Sequence, residues 1–588
     1  MIQVEQWLNQ SAPRLAQRPW LGRLAHLALR YLTHEKAFQG FAQDYPHLKG
    51  LDFIEQVLEY FDFDYQISDR HLQRIPTQAR VVIAANHPLG SLDGLALVKL
   101  VSQLRGDVKI VANEILTAIE PLESMLLPVD NMGGQTARRQ LAAIHEHLEN
   151  DGALIIFPAG EVSRLGTTGV KDGPWQTGFL RMARRARAPI VPVYVDGRNS
   201  AVFYWVSAMF KPLSRLLLIK EMFKQSSRTL QIRVGEQVDH CDYVQERDLR
   251  QLAARFRQHV YRIAKGKPGL FTTSQSIAHP ESKVALKHAL EQHTVLGETP
   301  DGQRIYLCQN IQNTPILREI ARLREVSFRA IGAGSGKRRD MDGFDTHYEH
   351  IVLYNPQELE LVGAYRVADT ASIIQQHGIE GLYTHTLFEF SPSMAPYFEH
   401  GLELGRSFVQ PKYWGKRSLD YLWQGIGAYL RHNPHPRYLF GGVSLSQQLP
   451  APAKDLLVYF YQLYFPAPEG IAHHRHPYAF NQDQVYALLD CFTAEDYESD
   501  FKKLKSMLAN MGVAPPTLFK QYSEIARADG VWFGEFGSDP DFSDAIDGLV
   551  LVDLEKLKPK KRARYLGCNA DHATGRQNTD TKSELNPA

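Results

Sequence analysis

Cysteine pairs are missing from this sequence. The four cysteines, Cys241, Cys308, Cys491 and Cys568, lie far apart and form no C-x-x-C motif. The pattern therefore predicts neither a zinc site nor a disulfide framework. We expect a reducing compartment and no bound metal.

Long apolar runs are also missing. No run reaches the roughly 18–20 apolar residues of a transmembrane helix. The nearest, Ala201–Phe210, is followed only by the short stretch Leu216–Ile219. Residues 1–20 lack the continuous apolar core and the small-residue cleavage site of an export signal. The sequence thus favours a protein that is neither exported nor membrane-spanning.

A strong overall charge is the third absence. The 66 Lys/Arg and 65 Asp/Glu residues give a net charge of +1, which does not indicate a nucleic-acid partner. The two halves differ: residues 1–270 carry 34 basic and 27 acidic residues, and the rest carries 32 and 38. A hydrophobic content of 44% is that of an ordinary folded protein.

Short β-type runs alternate with helix-length segments, which predicts an α/β fold. In the first half the strands are predicted at 80–84, 109–112, 126–129, 153–157 and 190–195, with helices at 92–105, 136–149 and 174–187. In the second half the strands are predicted at 350–354, 359–366, 382–390, 402–409 and 438–444, with helices at 313–330 and 418–432. The second half is predicted to be mixed α/β with antiparallel hairpins.

Composition and charge predict five segments along the chain. They are a helical N-terminal segment at 1–70, a first α/β domain at 71–265, a linker at 266–300, a second domain at 301–566 and a disordered tail at 567–588.

His87 and Asp93 form the first candidate site. His87 follows a predicted strand, and Asp93 comes six residues later at the start of a predicted helix. The carboxylate can hold one ring nitrogen, which leaves the other free to take a proton from a hydroxyl group. The alternative is that His87 caps a loop and Asp93 caps the next helix.

A second motif, IIFPAGEVSR at 155–164, also joins a strand to a turn. Together with NHPLGSLD and Ile190–Val193 it resembles the glycerolipid acyltransferase family, whose blocks read NHxxxxD, FPEGTRS and VP in this order. Two details differ here. Five residues rather than four separate His87 from Asp93, and Glu161 falls two places later than the family's glutamate.

The resemblance implies an acyltransferase-type α/β domain and direct transfer from an acyl thioester. His87 would be the base and Asp93 its orienting group, without metal or covalent intermediate. Where the family has an acceptor-phosphate segment, this chain has Asp130 and, in place of an arginine, Asn131. The acceptor alcohol therefore need not carry a phosphate. The candidate acceptor-binding residues are Glu161, Arg164 and Asp130.

The second half contains another ordered series of motifs. A helix at 317–330 is followed by DGFD at 342–345, VGAYR at 362–366 and ELGRSFV at 403–409. The series resembles the acetyltransferase (GNAT) superfamily, in the branch that contains autoinducer synthases and ornithine N-acyltransferases. It implies a GNAT-like mixed α/β domain that forms an amide.

Amide formation needs a base for the amine proton, and an amino-acid acceptor needs charged partners. Glu403 is the candidate base. Arg366 or Arg406 would bind a carboxylate, and Asp342 or Asp345 a side-chain ammonium. The alternative is a structural ion-pair network among the same residues.

The superfamily's loop for coenzyme A aligns with residues 409–418, where Trp414 and Arg417 replace an arginine and a glycine. The cations Lys412, Lys416 and Arg417 would suit the phosphopantetheine and acidic surface of acyl carrier protein. We expect no bound cofactor and acyl carrier protein as the donor's carrier, with coenzyme A as the alternative.

Together the halves resemble bifunctional ornithine lipid synthases of bacteria. The second half would join a 3-hydroxyacyl chain to an amino acid, and the first would esterify the hydroxyl of that lyso-aminolipid. Ornithine, lysine, glutamine and glycine all remain open as head groups. The protein would bind the cytoplasmic face of the inner membrane through residues 201–219 and its leucine-rich start.

Two other functions fit the same motifs. One is a phospholipid-type O-acyltransferase whose second half only binds a carrier protein. The other is a non-enzymatic, hemolysin-like membrane-binding protein.

Overall fold

The computed structural model describes residues 34–112, 119–129, 135–166, 169–209, 211–225, 229–447, 449–480, 491–542 and 544–567. The chain divides into two compact units, residues 1–279 and 280–588. The leucine-rich start up to Thr33, the candidate residue Asp130, Asn131 and the predicted tail after Gly567 lie outside the described residues.

The first unit alternates helices and strands along the chain. Its helices are α1 Glu35–Asp44, α2 Gly50–Tyr60, α3 Asp69–Leu72, α4 Leu92–Ser102, α5 Gln135–Glu149, α6 Gly178–Ala186, α7 Ala201–Met209, α8 Lys211–Lys224, α9 His240–Val244 and α10 Leu249–Ile263. Its strands are β1 Asp64–Gln66, β2 Val81–Ala85, β3 Val108–Ala112, β4 Leu126–Pro128, β5 Ala153–Ile156, β6 Arg164–Gly166, β7 Gly169–Lys171, β8 Ile190–Asp196 and β9 Thr229–Val234.

The main sheet of this unit has the strand order β1-β9-β8-β2-β5-β3-β4. All neighbours are parallel except β8 and β9. The central strand β2 is buried on both faces, because Val81, Ile83 and Ala85 pack into one apolar cluster and Val82 and Ala84 into another. The carboxyl ends of β2, β5 and β8 therefore meet at one sheet edge, where α/β proteins place their sites.

The predicted N-terminal segment is not a separate element in its described part. Phe41, Ile54, Leu58 and Phe61 are buried in the first unit's core, and β1 pairs with β9 at the edge of the sheet. The sequence predicted this segment to be helical but did not predict the short strand β1 that follows α1 and α2.

The second unit opens with helix α11 Lys283–Leu290 and hairpin strand β10 Thr294–Glu298. Its further helices are α12 Pro315–Ala330, α13 Thr370–His377, α14 Thr384–Leu387, α15 Ala395–Glu399, α16 Ser418–His432, α17 Ala451–Tyr464, α18 Tyr497–Asn510, α19 Thr517–Ile525 and α20 Pro559–Leu566. Its further strands are β11 Arg304–Cys308, β12 Glu349–Asn355, β13 Glu360–Asp369, β14 Phe388–Phe390, β15 Gly401–Val409, β16 Tyr438–Leu445, β17 Ala472–His474, β18 Val531–Asp539 and β19 Ala545–Asp553.

The sheet of the second unit has the order β10-β11-β12-β13-β15-β16-β19-β18. Neighbours are antiparallel except β15 and β16, whose parallel pairing ends at Glu403 and Phe440. Both strands continue beyond that point, β15 against β13 and β16 against β19. Beyond Glu403 and Phe440, the backbone N–H and C=O groups of β15 and β16 that face each other are therefore not paired with each other.

The two faces of this sheet differ in what covers them. One face packs on α16 to α20 in a single large apolar cluster. The other carries two smaller clusters, one under α11 and α12 and one around α13 to α15. We call this second surface the split face, because buried polar groups lie between its two clusters.

One sequence-based strand in this unit was wrong. Residues 382–390, predicted as one strand, form the short helix α14 and only the three-residue strand β14. The predicted linker 266–300, for which the sequence indicates one helical segment at 281–293, contains helix α11 within those bounds and strand β10 after them. Leu286 and Leu290 of α11 bury against the second unit's core.

Among the described residues, no helix has the length and apolar character needed to cross a bilayer. The same residues contain no group of three or more His, Cys, Asp or Glu side chains arranged to hold a metal ion.

Candidate active sites

His87 and Asp93 meet at the carboxyl end of β2. The Nδ1 atom of His87 lies 3.0 Å from Oδ2 of Asp93. The Asp93 side chain is fully buried, whereas 18% of the His87 side chain remains exposed. The His87 ring also stacks on Phe157, with 4.0 Å between the ring centroids. The predicted pairing of these two residues is therefore present in the structure.

The Asp93 carboxylate also organises the loop between them. Its oxygens accept backbone N–H bonds from Leu89 at 2.9 Å, Ser91 at 3.0 Å and Gly94 at 3.0 Å, with a longer one from Gly90. Gly90 has φ +87°, and a Cβ there would lie 3.1 Å from a Leu218 methyl group. The loop therefore requires glycine at this position.

The pair also sets the charge state of His87. Burial alone would lower the pKa of His87, but the charge of Asp93 and its hydrogen bond outweigh that effect and raise it above the usual value. Burial would raise the pKa of Asp93, but His87 and the backbone N–H donors hold it below its usual value. A neutral His87 can take a proton through Nε2 while Asp93 holds Nδ1.

Asn86 fixes the end of β2 to β8. Its side chain donates to the Val195 carbonyl at 2.9 Å and accepts from the Val195 N–H at 2.7 Å. Asn199 then donates to the Pro88 and Leu89 carbonyls at 3.2 and 3.3 Å. The loop after β8 therefore holds the His87 loop, a contact that the VP block alone does not predict.

Asp172 is a buried site residue that the sequence reasoning missed. Its carboxylate accepts from Ser163 Oγ at 2.5 Å, Trp175 Nε1 at 2.9 Å and the His87 backbone N–H at 3.2 Å. Ser163 in turn donates its N–H to the His87 carbonyl at 2.8 Å. Burial raises the pKa of Asp172 despite these donors. The sequence offered no signal except an acidic residue close after the FPAGEVS block.

Glu161 and Arg164, the predicted acceptor-binding residues, form a partly exposed ion pair at 3.0 Å. Arg164 also donates to the carbonyl of Ser207 on α7 at 3.1 Å. The pair therefore joins the turn after β5 to helix α7, and its role toward an acceptor stays a prediction.

In the second unit the predicted charges form one buried cluster on the split face. Arg366 lies 2.5 Å from Asp342 and 3.1 Å from Asp345. Asp345 also forms a two-point contact with Arg324, at 2.9 and 2.6 Å. Although burial acts to raise it, the pKa of Asp345 is held far below its usual range by Arg324, His350 and Arg366.

Arg406 lies beside the same cluster. It contacts Asp342 at 3.5 Å and Asp340 at 3.6 Å, and its guanidinium stacks on the Tyr383 and Phe542 rings, 4.9 Å from each centroid. Arg406 has φ +47° at an irregularity in the pairing of β15 with β13. This bulge turns two consecutive residues toward the same face.

Not all polar atoms of this cluster have partners. Within the described part of the chain, Nε and Nη2 of Arg366 and Oδ2 of Asp342 are buried without a hydrogen bond. Buried polar atoms usually have partners. The cluster therefore combines the ion-pair network that the sequence left open with unused Arg366 donors that a polar ligand can fill.

Glu403, the predicted base, lies on the split face one strand away from Arg366. It is 1% exposed, accepts from the Tyr348 hydroxyl and accepts from the Thr384 N–H at 2.7 Å. Burial raises its pKa, although these hydrogen bonds act in the opposite direction. Its catalytic role stays a prediction.

The three predicted carrier-binding cations lie on an exposed surface away from the buried cluster's ion pairs. Lys412 contacts Glu360 at 2.5 Å and Arg417 contacts Asp420 at 3.6 Å. Lys416 lies over the Tyr413 ring, 4.8 Å from its centroid. Their role in binding an acidic carrier surface stays a prediction.

Comparison with known proteins shows that parts of both halves match families of acyl-transferring domains. Residues 6–267 match the acyltransferase family, and residues 323–424 match the acetyltransferase (GNAT) domain. The predicted resemblances and the α/β class of both halves are confirmed. The segment boundaries of the sequence-based domain scheme stay predictions.

Three curated relatives are similar to parts of the chain. A glycine N(alpha)-acyltransferase of Bacteroides thetaiotaomicron is 29% identical over 308 residues, 50% of this chain and 90% of the relative. A lyso-glycine lipid O-acyltransferase of Phocaeicola vulgatus is 26% identical over 270 residues, 45% of this chain and 95% of the relative. An L-ornithine N(alpha)-acyltransferase of Brucella abortus is 32% identical over 126 residues, 20% of this chain and 42% of the relative.

The His87–Asp93 contact predicts how His87 titrates. Because Asp93 stabilises the protonated imidazole, His87 should react with diethyl pyrocarbonate, which modifies neutral imidazole, with a midpoint above pH 6.5. In Asp93→Asn the midpoint should move to lower pH. Peptide mass spectrometry of the modified chain measures the His87 site separately, and identical midpoints in both proteins would contradict the electrostatic coupling.

The donors around Asp172 predict a stability effect. Asp172→Asn replaces one acceptor oxygen by an NH₂ group that faces existing donors, so we expect a loss of about 1–3 kcal/mol in the free energy of unfolding. Asp196→Asn, at the exposed end of β8, is the control and should leave the first unit's thermal midpoint unchanged. Equal midpoints for the two variants would show that Asp172 does not hold the loop.

Proposed function

We propose that this chain makes an amino-acid lipid in two steps. It joins a domain of the acyltransferase family to a GNAT domain, and it is therefore an acyl-transferring enzyme that uses acyl thioesters. The second unit would form the amide between a 3-hydroxyacyl chain and an amino acid. The first unit would then esterify the hydroxyl of that chain. The observation that carries the proposal is the His87–Asp93 pair in one unit together with the buried charge cluster in the other.

The first unit's residues suit proton removal from an alcohol. Neutral His87 would take the hydroxyl proton through Nε2 as the oxygen attacks the thioester carbonyl carbon. Asp93 would keep Nδ1 protonated and stabilise the imidazolium that forms. As the C–S bond breaks, His87 would return the proton to the leaving sulfur.

The second unit's residues suit recognition of an amino acid. Arg366 offers unused N–H groups to a carboxylate, and aspartates surround it. The unpaired backbone groups between β15 and β16 beyond Glu403 offer hydrogen bonds to the amide groups of a phosphopantetheine arm. Acyl carrier protein fits the exposed cations Lys412, Lys416 and Arg417.

The relatives support this division of labour. One acts on glycine in forming an amide, one on a lyso-glycine lipid in forming an ester, and a third on ornithine. The glycine N-acyltransferase is similar to 50% of this chain, and the lyso-glycine lipid O-acyltransferase is similar to 45% of it. These shares fit a single chain that carries both activities. The proposed acceptor is accordingly glycine or ornithine.

Helix α7 supports attachment to a membrane surface. Phe203 and Tyr204 are buried, whereas Val202 is 60% and Trp205 is 72% exposed. Leu217 and Leu218 of α8 pack with Phe203 and Tyr204 against Val162, beside the His87 loop. An exposed aromatic residue next to the esterifying site is suited to the interface of the cytoplasmic membrane, where the lyso-lipid would reside.

Lipid analysis tests the two-step scheme. Expression in a bacterium without aminolipids, with isotope-labelled glycine or ornithine in the medium, should yield a new diacylated lipid that carries one label. In His87→Ala the monoacylated amide should accumulate and the diacylated lipid should fall by at least about 100-fold, the contribution of a general base. His47→Ala, an exposed histidine of the same unit, should match the unsubstituted chain.

If neither label enters any amide-linked lipid in the unsubstituted chain, the scheme is wrong. A normal diacylated lipid in His87→Ala would remove His87 from the ester step.

Vesicle binding tests the role of α7. Trp205→Ala should weaken binding to vesicles of anionic phospholipid by about tenfold, because an apolar side chain no longer enters the interface. Val284→Ser changes a comparably exposed apolar residue, 59% exposed on α11, and should leave co-sedimentation unchanged. Equal binding by both variants would exclude α7 as the contact.

A further inference from the structure

A row of polar side chains crosses the split face of the second unit. Residues that pair across strands point to the same side of a sheet. Arg366 pairs with Gly405, Glu403 with Phe440 and Ser444 with Asp547. The row therefore runs from Arg366 on β13 through Glu403 on β15 to Ser444 and Asp547 on β16 and β19, between the face's two apolar clusters.

Most buried acids of this face already have strong partners. Asp340, Asp342 and Asp345 each have an arginine nitrogen within 4 Å. Glu403 has a donor on each oxygen, the Tyr348 hydroxyl and the Thr384 N–H. These four acids hold the structure together and have little capacity for a substrate cation.

Asp547 differs from these four. It is 2% exposed, and its Oδ1 accepts a hydrogen bond from the Ser444 hydroxyl. Among the described residues, no Lys, Arg or His nitrogen forms an ion pair with it at 4.0 Å or less. A buried carboxylate without a cation is costly unless a ligand or a proton neutralises it.

The surroundings of Asp547 contain further unused polar groups. His474 on β17 fills the space over Gly537, the cross-strand partner of Asp547, so closely that a Cβ on Gly537 would lie 2.0 Å from the ring. Nε2 of His474 is buried without a partner among the described residues, as are two nitrogens of Arg366. A Cβ on Gly405 would have no heavy atom within 4 Å other than those of Gly405 and its two chain neighbours.

We propose that Asp547 binds the amino group of the amino-acid acceptor and takes its proton when the amide forms. The assignment rests on the proposed N-acylation and names the group that meets the amine. Glu403, with both oxygens bonded to Tyr348 and Thr384, instead holds the turn at Tyr383–Thr384 against the sheet.

The reaction balances with the groups present. The ammonium gives one proton to the Asp547 carboxylate and becomes a nucleophilic amine. Its nitrogen attacks the thioester carbonyl carbon, the C–N bond forms and the C–S bond breaks. The second amine proton goes to the leaving sulfur, and the third stays on the amide nitrogen.

The charges around Asp547 suit it to this task near neutral pH. Burial and the charge of Asp539 on β18 raise the pKa of Asp547 to about 7, whereas Ser444 and Arg406 on β15 act to lower it. Tyr383 and His474 also lie on this part of the face, and burial keeps both uncharged at neutral pH. As pH rises through about 7, Asp547 ionises and the amide-forming rate should rise with it.

Kinetics of the purified full chain test the assignment, with 3-hydroxyacyl carrier protein as donor and glycine or ornithine as acceptor. Asp547→Asn keeps an oxygen for Ser444 but cannot accept a proton. We expect kcat for amide formation to fall by at least about 100-fold. The rise of the rate with pH near pH 7, which we call the limb of the pH profile, should also be lost. In Asp539→Asn the limb should move to lower pH, because a neighbouring negative charge is gone.

Glu403→Gln and Asp500→Asn are the comparison variants. Glu403→Gln should keep the limb near pH 7. Asp500, 4% exposed and bonded to the Tyr464 hydroxyl at 2.7 Å, matches Asp547 in burial, and its variant should keep both rate and limb. Thermal midpoints of all variants separate loss of folding from loss of chemistry.

Three results would overturn the assignment. The first is an unchanged amide-forming rate and an unchanged limb in Asp547→Asn. The second is loss of the limb in Glu403→Gln rather than in Asp547→Asn. The third is a loss of rate in Asp547→Asn that Asp500→Asn reproduces. In the first two the amide still forms in the unsubstituted chain, so the proposed function stands. No amide from the unsubstituted chain with either amino acid would remove both proposals.

Discussion

A buried carboxylate must find a donor or a cation for each of its oxygens, and both units are built around that requirement. In the first unit Asp93 meets it with the His87 ring and the N–H groups of the loop that carries His87. The shape of the loop and the basicity of the histidine therefore have one cause. A neutral side chain in place of Asp93 would change both at once.

The second unit meets the same requirement with arginines. Arg324 and Arg366 neutralise Asp345, and the chain segment 340–345 is thereby fixed against the sheet. Such networks contribute little net stability, because removing charges from water costs about as much as their attraction returns. They fix the position of Arg366, which keeps two nitrogen atoms without a hydrogen bond on this face.

The sequence predicted the central strands and the His87–Asp93 contact, because strong local signals coincide there. The apolar run at 81–85 ends directly at Asn86–His87, and β2 and α4 lie where periodicity placed them. The same signals could not show which charges meet across the fold. Asp172 approaches His87 from 85 residues further along the chain, and nothing local distinguishes it from a surface aspartate.

In the second unit the motifs identified the right strands but not the division of roles among their charges. The motifs named Arg366, Asp342 and Asp345, which lie in one buried cluster, yet only the strand register shows that Asp547 shares their face. Register depends on long-range pairing between β16 and β19, and a one-residue slip would turn Asp547 to the opposite side.

The division of the chain between residues 279 and 280 has a consequence for how the two activities are supplied. Two separate enzymes can be synthesised in any proportion, whereas two units on one chain are always present in equal numbers. The steady-state level of the intermediate then depends only on the turnover of each site and its exchange with the surroundings. Cells could not tune that level by expressing one activity without the other.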